Sequence, residues 1–361
     1  MVTTTAVSNP PPPLSPYGTF HGSLFQYHKN LVAFESSPPP SSFSTSDNHN
    51  DKSRPLGCCP KKCILVGGLS DGLLPTPYTA SLQEACHDIG WSLVQPLMSS
   101  SYTGFGHGSL ERDSQELHHL LDYLITHRSA THFGFVGHST GCQNAIHLLK
   151  HLEDGSDDDG DGDDGGATPS SNSNSKENLV SKIQVVALQA PVSDREGAMV
   201  EPQYAENIQT AREIVAHHHH NHNNQEEEEM MPRTAFWAPI TAQRFLDLQD
   251  KGGADDFFSS DYTDMELQER LGHVGQQTYE STGLQVLVAF SGADEYVPST
   301  VHTPHLTQRL CDAMNVHCVH RPVATSLYLP TANHNLSQGE GDATTFVAKV
   351  KELLHHTTTV S

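Results

Sequence analysis

The chain has 361 residues, 35% of them hydrophobic, and carries a formal net charge of −23 at pH 7. Two acidic tracts, at residues 153–164 and 226–229, contribute much of that charge and are typical of solvated loops. Because the sequence has no basic stripe, no nucleic-acid motif and no apolar run of about eighteen residues, it argues against a nucleic-acid-binding protein and against a membrane span.

The first 17 residues are rich in Thr, Ser and Pro, and we predict a disordered N-terminus rather than a signal peptide. The seven cysteines are an odd number without the spacing of a disulfide framework. Cys58, Cys59 and Cys63 could form half of a metal site, but no second half follows in the sequence. We therefore predict reduced thiols in a cytoplasmic protein, with neither a metal nor a cofactor.

Strand and helix patterns alternate over residues 18–355, which we predict to be one domain. Several of the predicted strands are continuous apolar runs, as in parallel strands that are covered on both faces. Strands are predicted at 20–28, 31–35, 63–66, 91–97, 132–136, 183–188, 284–290 and within 316–329. Helices are predicted at 77–89, 110–126, 143–152, 305–314 and 344–354. The repeated strand–helix units predict an α/β fold, with a mostly parallel central sheet flanked by helices.

Three polar segments interrupt this pattern and are predicted to be disordered, at about 36–60, 153–178 and 217–229. The last begins with four histidines, which we interpret as part of a solvated loop, because no carboxylate or cysteine spacing completes a closed metal site. This segment lies in a long connection, residues 193–281, that also carries large apolar side chains. We predict that the connection forms a helical cap over the sheet.

The strongest chemical motif is Gly137-His138-Ser139-Thr140-Gly141, which has the form G-x-S-x-G. An apolar strand precedes it and a helix pattern follows it, as the nucleophile elbow of a hydrolase requires. Such a turn lifts the serine hydroxyl clear of the sheet, and the small residues on either side relieve the crowding. Ser139 is therefore the predicted nucleophile, and the following helix points free backbone N–H groups toward a developing oxyanion.

A second oxyanion donor is expected from the loop after the strand at 63–66, which reads Gly-Gly-Leu-Ser-Asp-Gly over residues 67–72. A glycine-rich turn lets the backbone approach a bound carbonyl group closely. We predict that the N–H groups of Leu69 and Thr140 form the oxyanion hole, with Gly68 as the alternative to Leu69. An ordinary tight turn is the competing interpretation of this loop.

The acid and the base of a triad follow the nucleophile along the chain in this fold. Asp294 comes straight after an apolar strand, in a turn from which a carboxylate can reach the base. Its neighbour Glu295 is expected to face solvent, and Asp194, which follows the preceding strand, is the other topological option for the acid. His334 is the predicted base, because it lies in the loop between the last strand and the last helix.

The segment after the strand at 91–97 is the predicted wall of the substrate pocket. Tyr102 and Phe105 are expected to be its aromatic walls, with His107 beside them, whereas His138 is expected to fill space at the elbow. A short polar-to-aromatic loop is as common in plain packing, so that alternative stays open.

Four motifs in order resemble a family of α/β hydrolases from fungi and plants, long labelled as of unknown function, which includes a fungal siderophore esterase of the fusarinine type. They are residues 67–72, 99–106, 137–143 and 255–261, and the resemblance runs from about 18 to 354 apart from the three polar segments. The resemblance implies the α/β-hydrolase fold, an intracellular Ser–Asp–His hydrolase and an ester substrate. The segments at 153–178 and 217–229 depart from what the family leads us to expect.

These observations predict a serine hydrolase that cleaves a small-molecule ester through an acyl-enzyme. Lactone hydrolysis, amide hydrolysis and acyl transfer are the alternatives among enzymes. From another class, the alternative is a slow or inactive hydrolase-fold protein that senses a small ligand. A broken triad would be its signature, whereas this sequence has all three triad residues.

Overall fold

The computed structural model describes residues 19–38, 59–154, 179–220, 229–339 and 341–357. The predicted disordered N-terminus, residues 1–17, lies outside these ranges, as does most of each of the three predicted polar segments. Among the described helices, none is both long enough and apolar enough to cross a membrane.

The described strands and helices follow the predicted alternation. The strands are β1 (Gly22–His28), β2 (Leu31–Ser36), β3 (Lys61–Val66), β4 (Ser92–Leu97), β5 (His132–His138), β6 (Ile183–Gln189), β7 (Gln285–Ser291) and β8 (Ala324–Leu329). The α-helices are α1 (Thr79–Asp88), α2 (Leu110–Arg128), α3 (Gly141–Asp154), α4 (Asp194–Ala198), α5 (Tyr204–His220), α6 (Ala242–Gln249), α7 (Asp264–Leu271), α8 (Gln277–Thr282), α9 (Thr303–Met314) and α10 (Asp342–His356). Short 3-10 helices lie at Tyr102–His107 and Gly272–Gly275.

The strands form one sheet in the order β1-β2-β4-β3-β5-β6-β7-β8. β2 pairs antiparallel with β1 and β4, whereas each of the other neighbouring pairs is parallel. The predicted mostly parallel sheet flanked by helices is confirmed, with element boundaries that shift by a few residues.

Helices cover both faces of the sheet, and alternate residues of a strand enter different apolar clusters because side chains alternate across a strand. Ile64 and Val66 belong to a cluster that contains residues of α2, α3 and α9. Cys63 and Leu65 belong to a cluster that contains residues of α1 and α10. Burial on both faces explains why the central strands read as continuous apolar runs.

The boundaries of the predicted polar segments need correction. Helix α5 continues to His220, so the first four residues of the segment predicted at 217–229 are helical. Ser36 ends β2, and its Oγ accepts the Leu93 N–H at 2.9 Å, so it belongs to the sheet and not to the loop predicted at 36–60. The connection predicted to form a cap contains α4 to α8, and α5 and α6 share a separate apolar cluster.

The parallel strands bring their carboxyl ends to one edge of the sheet. Val66 pairs with Gly137, and Gly137 pairs in turn with Leu188 on the other side of β5. Ser291 at the end of β7 pairs with Leu329 at the end of β8. The loops that follow β3, β5, β6, β7 and β8 therefore start side by side, as in open α/β sheets whose ligands bind at this edge.

A buried ion pair joins the antiparallel part of the sheet to the parallel part. Lys62 of β3 and Glu35 of β2 are 0% and 1% exposed, and the Lys62 ammonium contacts the Glu35 carboxylate across the intervening strand β4. Ser92 of β4 donates to the same carboxylate at 2.9 Å, and Arg128 contacts it at 3.3 Å. Removal of one partner would leave an uncompensated charge in the interior, which costs far more than the net value of the pair.

We expect Glu35→Ala to lower the free energy of unfolding by about 3–5 kcal/mol, because Lys62 then stays buried without its carboxylate. The double variant Glu35→Leu with Lys62→Met is expected to recover most of that loss, since the fully buried Lys62 charge is removed together with its partner and Arg128 keeps access to solvent. Urea unfolding followed by circular dichroism measures both. A single variant as stable as the wild type would contradict this account.

Candidate active site

Ser139 lies in the sharp turn between β5 and α3, with a positive φ of 55°. The flanking glycines are required by close backbone contacts. A Cβ atom on Gly137 would lie 2.4 Å from the Gly141 carbonyl oxygen, and one on Gly141 would lie 2.3 Å from the Val66 carbonyl oxygen. The Ser139 N–H donates to the Gln189 carbonyl at 3.0 Å. The turn therefore has the strained geometry of a nucleophile elbow.

The loop after β3 packs directly on the serine. A Cβ atom on Gly68 would lie 2.8 Å from Ser139 Cβ and 3.3 Å from Ser139 Oγ. The Gly68 N–H donates to Asp71 Oδ2 at 2.7 Å. Gly68 was the predicted alternative to Leu69 as an oxyanion donor, and its N–H is thus already engaged. Leu69 and Thr140, the two preferred donors, line one small cavity together with Gly68.

His334 lies against Asp294, as the sequence predicts for a base and its acid. His334 Nδ1 is 2.8 Å and 3.0 Å from the two Asp294 oxygens, and both side chains are buried. The Tyr296 N–H also donates to Asp294, at 3.0 Å. Because a carboxylate only accepts hydrogen bonds, Nδ1 of the imidazole carries the proton, and the Nε2 lone pair is left to act as a base.

The other two acidic candidates have different surroundings. Glu295, expected to face solvent, is exposed but accepts the His334 backbone N–H at 2.9 Å. Asp194 accepts from the Gln143 amide at 3.1 Å and makes no described hydrogen bond to His334. Burial, with the negative charge of Asp255 nearby, raises the pKa of Asp194 to about 7. The geometry therefore favours Asp294 as the partner of the base.

His138, predicted to fill space at the elbow, is buried beside the base, with its ring centroid 5.0 Å from that of His334. Its Nδ1 is 2.6 Å from Gln189 Oε1. Burial, and secondly the charge of His334, lowers the pKa of His138 to about 3. The ring next to the predicted base is therefore neutral at physiological pH.

A cavity of about 1320 Å³ opens over the predicted triad, and both Ser139 and His334 line it. Its other walls include Asp194, the loop of Tyr296 and residues of the predicted cap. The cap residues on the wall include Tyr204, Asn207, Phe236 and Trp237. Ser139, His334 and the loop after β3 thus line one open cavity beside α5 and the segment before α6.

None of the three predicted pocket residues at 102–107 lines this cavity, whereas Phe105 lines the small cavity beside Leu69 and Thr140. Their role as pocket walls stays a prediction. Tyr102 is exposed and lies over Gly72, where a Cβ atom would meet its ring at 2.3 Å. Phe105 is buried behind the cavity wall, with its ring centroid 5.2 Å from that of Trp237. His107 is exposed on the same 3-10 helix. The alternative of plain packing fits Phe105, which supports the wall from behind.

Two residues of the site were missed in the sequence, Gln189 and the cap residue Tyr204. Gln189 carried one signal, since it is a polar residue directly after a continuous apolar run, at the same edge of the sheet as Ser139 and Asp294. No pattern marked Tyr204, because a cap side chain reaches the site only through tertiary packing. Over the described ranges, no group of three His, Cys, Asp or Glu side chains is arranged to hold a metal ion.

Comparison with protein families gives a match to the model described as "Protein of unknown function (DUF1749)" over residues 8–355. UPF0613 protein PB24D3.06c of Schizosaccharomyces pombe is 31% identical over 87% of this chain and 90% of its own length. Fusarinine C esterase sidJ of Aspergillus fumigatus is 28% identical over 90% of this chain and 92% of its own length.

Among solved structures, the siderophore hydrolase EstB from Aspergillus fumigatus superposes with a TM-score of 0.65 at 26% identity, over 95% of this chain and 99% of its own. A second structure, an α/β-hydrolase-fold protein of unknown function, gives a TM-score of 0.56 at 16% identity, over 94% and 97% of the two chains. The α/β-hydrolase fold predicted from the sequence is therefore confirmed.

We expect Gly68→Ala to lower ester turnover by about 10–100-fold, because the added Cβ would displace either Ser139 or the oxyanion loop by a few tenths of an ångström or more. Gly197→Ala is the matched control, since Gly197 lines the same cavity but its Cβ would meet one atom, the Tyr296 carbonyl oxygen, at 3.1 Å. Steady-state kinetics with a chromogenic ester measures both, and equal turnover in the two variants would contradict the steric argument.

The raised pKa of Asp194 predicts that this carboxyl lowers the free energy of unfolding by an amount that depends on pH. The folded protein holds a proton that the unfolded chain releases as the pH rises from about 4, so the contribution of this carboxyl to the free energy of unfolding is lost as the pH approaches 7. We expect Asp194→Asn to be more stable than the wild type by about 1–4 kcal/mol near pH 8, and by less near pH 5. Urea unfolding at the two pH values tests this, and a pH-independent difference would contradict it.

Proposed function

The chain belongs to the DUF1749 family, and from this premise we propose that it is a serine hydrolase that cleaves carboxylic esters of small molecules. The observation that carries the proposal is the His334–Asp294 pair, whose imidazole lines the same cavity as the strained Ser139 elbow. The names of two relatives, a fusarinine C esterase and a siderophore hydrolase, support ester cleavage independently of this geometry.

In the proposed acylation step, His334 Nε2 takes the proton of the Ser139 hydroxyl while Oγ forms a bond to the ester carbonyl carbon. The backbone N–H groups of Leu69 and Thr140 stabilise the negative charge that develops on the carbonyl oxygen. The bond from carbon to the leaving oxygen then breaks, and His334 returns its proton to the departing alcohol. The acid part of the ester stays on Ser139 as an acyl-enzyme.

In the proposed deacylation step, a water molecule loses a proton to His334 Nε2 and attacks the acyl carbon in the same oxyanion hole. The bond from the acyl carbon to Ser139 Oγ breaks, and Oγ takes the proton back from His334. This step frees the acid product. Asp294 keeps the imidazole in the tautomer with the proton on Nδ1 and stabilises the imidazolium in both steps. Its two close oxygens supply the geometry for this role.

The cavity supports a substrate of substantial size, since its volume of about 1320 Å³ exceeds the ~300–1000 Å³ of ordinary small-ligand pockets. The relatives' names make a siderophore ester the first natural candidate to assay. Lactones and amides follow the same two steps and belong in the same substrate panel. The cytoplasmic location inferred from the sequence stays a prediction.

We expect a fluorophosphonate probe to label the wild type and to leave Ser139→Ala unlabelled, since the probe reacts with an activated serine. Turnover of activated esters is expected to fall by at least about 10⁴-fold in Ser139→Ala, and by about 10³–10⁴-fold in Asp294→Asn, which disturbs the tautomer. Mass spectrometry and steady-state kinetics measure these effects.

The matched control for labelling is Ser70→Ala, which removes another serine that lines the same cavity and is expected to keep the label. A label that survives in Ser139→Ala would contradict the assignment of the nucleophile. A wild type that is folded but neither labelled nor active would contradict the proposal that the chain is an enzyme. It would favour a hydrolase-fold protein that senses a ligand.

A further inference from the structure

Gln189, the last residue of β6, makes hydrogen bonds to the backbone of both Ser139, the predicted nucleophile, and His334, the predicted base. Its backbone carbonyl accepts the N–H of Ser139 at 3.0 Å and the thiol of Cys142 at 3.3 Å. Its side-chain Nε2 donates to the backbone carbonyl of His334 at 2.9 Å. The side chain is fully buried, so water does not compete for these hydrogen bonds.

The orientation of the Gln189 amide follows from its partners. The His334 backbone oxygen can only accept, so the amide nitrogen must face it and the amide oxygen must face the other way. That oxygen lies 2.6 Å from His138 Nδ1 and 3.1 Å from the Tyr78 hydroxyl, and both must donate to it. His138 therefore carries its proton on Nδ1, which agrees with a neutral ring whose pKa is lowered by burial.

Three contacts together fix the loop that carries the base. The N–H of His334 donates to Glu295 at 2.9 Å, and its carbonyl accepts from Gln189. Its ring is held by Asp294 through Nδ1. These contacts hold the imidazole and the backbone on both sides of it, and among them the Gln189 side chain connects this loop to the strand end that also bonds Ser139.

We propose that Gln189 is a positioning residue, which sets the distance between nucleophile and base by bonding to the backbone of both. This inference rests on the proposed hydrolase function for its kinetic consequence, whereas its structural part, the anchoring of the base loop, stands apart from turnover. A side chain that only filled space would have no need for an amide whose donor and acceptor are both used.

The test compares three variants of the full chain. Gln189→Met keeps the length of the side chain but cannot donate to His334. Gln189→Glu can donate as a neutral acid, which burial favours at lower pH, but faces the His334 carbonyl with a second acceptor once it ionises. Tyr78→Phe is the matched control, because it removes a hydrogen bond to the same amide and leaves both bonds to Ser139 and His334 in place.

For Gln189→Met we expect kcat to fall by about 10–100-fold with KM within about threefold, since reacting groups that are displaced by about 1 Å lose rate rather than binding. For Gln189→Glu we expect the ratio of its kcat/KM to that of the wild type to fall as the pH rises. For Tyr78→Phe we expect kcat within about twofold and a ratio independent of pH. Thermal unfolding confirms that each variant is folded.

Hydrogen exchange of the peptide that covers residues 330–337 gives a readout that needs no turnover. We expect faster exchange of this loop in Gln189→Met and wild-type exchange in Tyr78→Phe. Wild-type kcat and loop exchange in Gln189→Met would overturn the proposal, and so would equal impairment of Tyr78→Phe. If the wild type hydrolyses no ester, the hydrolase assignment fails, and loop exchange alone decides whether Gln189 anchors the base loop.

Discussion

A Cβ atom on Gly141 would lie 2.3 Å from the Val66 carbonyl oxygen, and this close approach of α3 to the end of β3 constrains the whole site. It requires β3 and β5 to be parallel neighbours with their carboxyl ends level, as their register has them. The loop after β3 then passes over the serine, where Gly68 leaves no room for a side chain. Ser139 and the loop after β3, the proposed nucleophile and oxyanion loop, are therefore positioned by the same contacts and cannot be adjusted independently.

The two acidic residues near His334, Asp294 and Asp194, differ in their hydrogen bonds and in their surroundings. Asp294 accepts hydrogen bonds from the imidazole of His334 and from the Tyr296 N–H. Asp194 accepts from a neutral amide, and burial, with the negative charge of Asp255 nearby, raises its pKa to about 7. The two acids lie at adjacent strand ends, yet the structure suits only Asp294 to an imidazolium partner.

Local patterns in the sequence pointed to residues that the structure places at one edge of the sheet. A continuous apolar run followed by G-x-S-x-G pointed to Ser139, and position after a strand pointed to Asp294 and His334; their catalytic roles stay predictions. Tyr102, Phe105 and His107, the predicted pocket walls, do not line the large cavity, because the direction of a loop side chain depends on what packs over it. Here the cap residues Phe236 and Trp237 form that part of the wall. Gln189 escaped notice because a polar residue at a strand end has no motif, and its partners lie up to 145 residues away in sequence.

The motif at 255–261, which is one of the four motifs that carry the family resemblance, lies within the predicted cap and pairs with two other parts of it. Arg244 of α6 is paired with Asp255, and Arg195 donates to Asp256 at 2.9 Å and to Asp261 at 3.1 Å. Arg195 lies in α4, shortly after β6, so these ion pairs join α4, α6 and the 255–261 motif to one another within the cap.

The polar segment at 217–229, which departs from the expected family pattern, lies within the cap. Asn207 near the start of α5 lines the cavity, and the chain leaves α5 at His220, about 20 Å further along the helix axis at ~1.5 Å per residue. Residues 233–237, which follow the polar segment, return to the cavity wall. Tyr204, Phe236 and Trp237 line the same cavity as Ser139, so they are the first positions at which to test substrate selection by the cap.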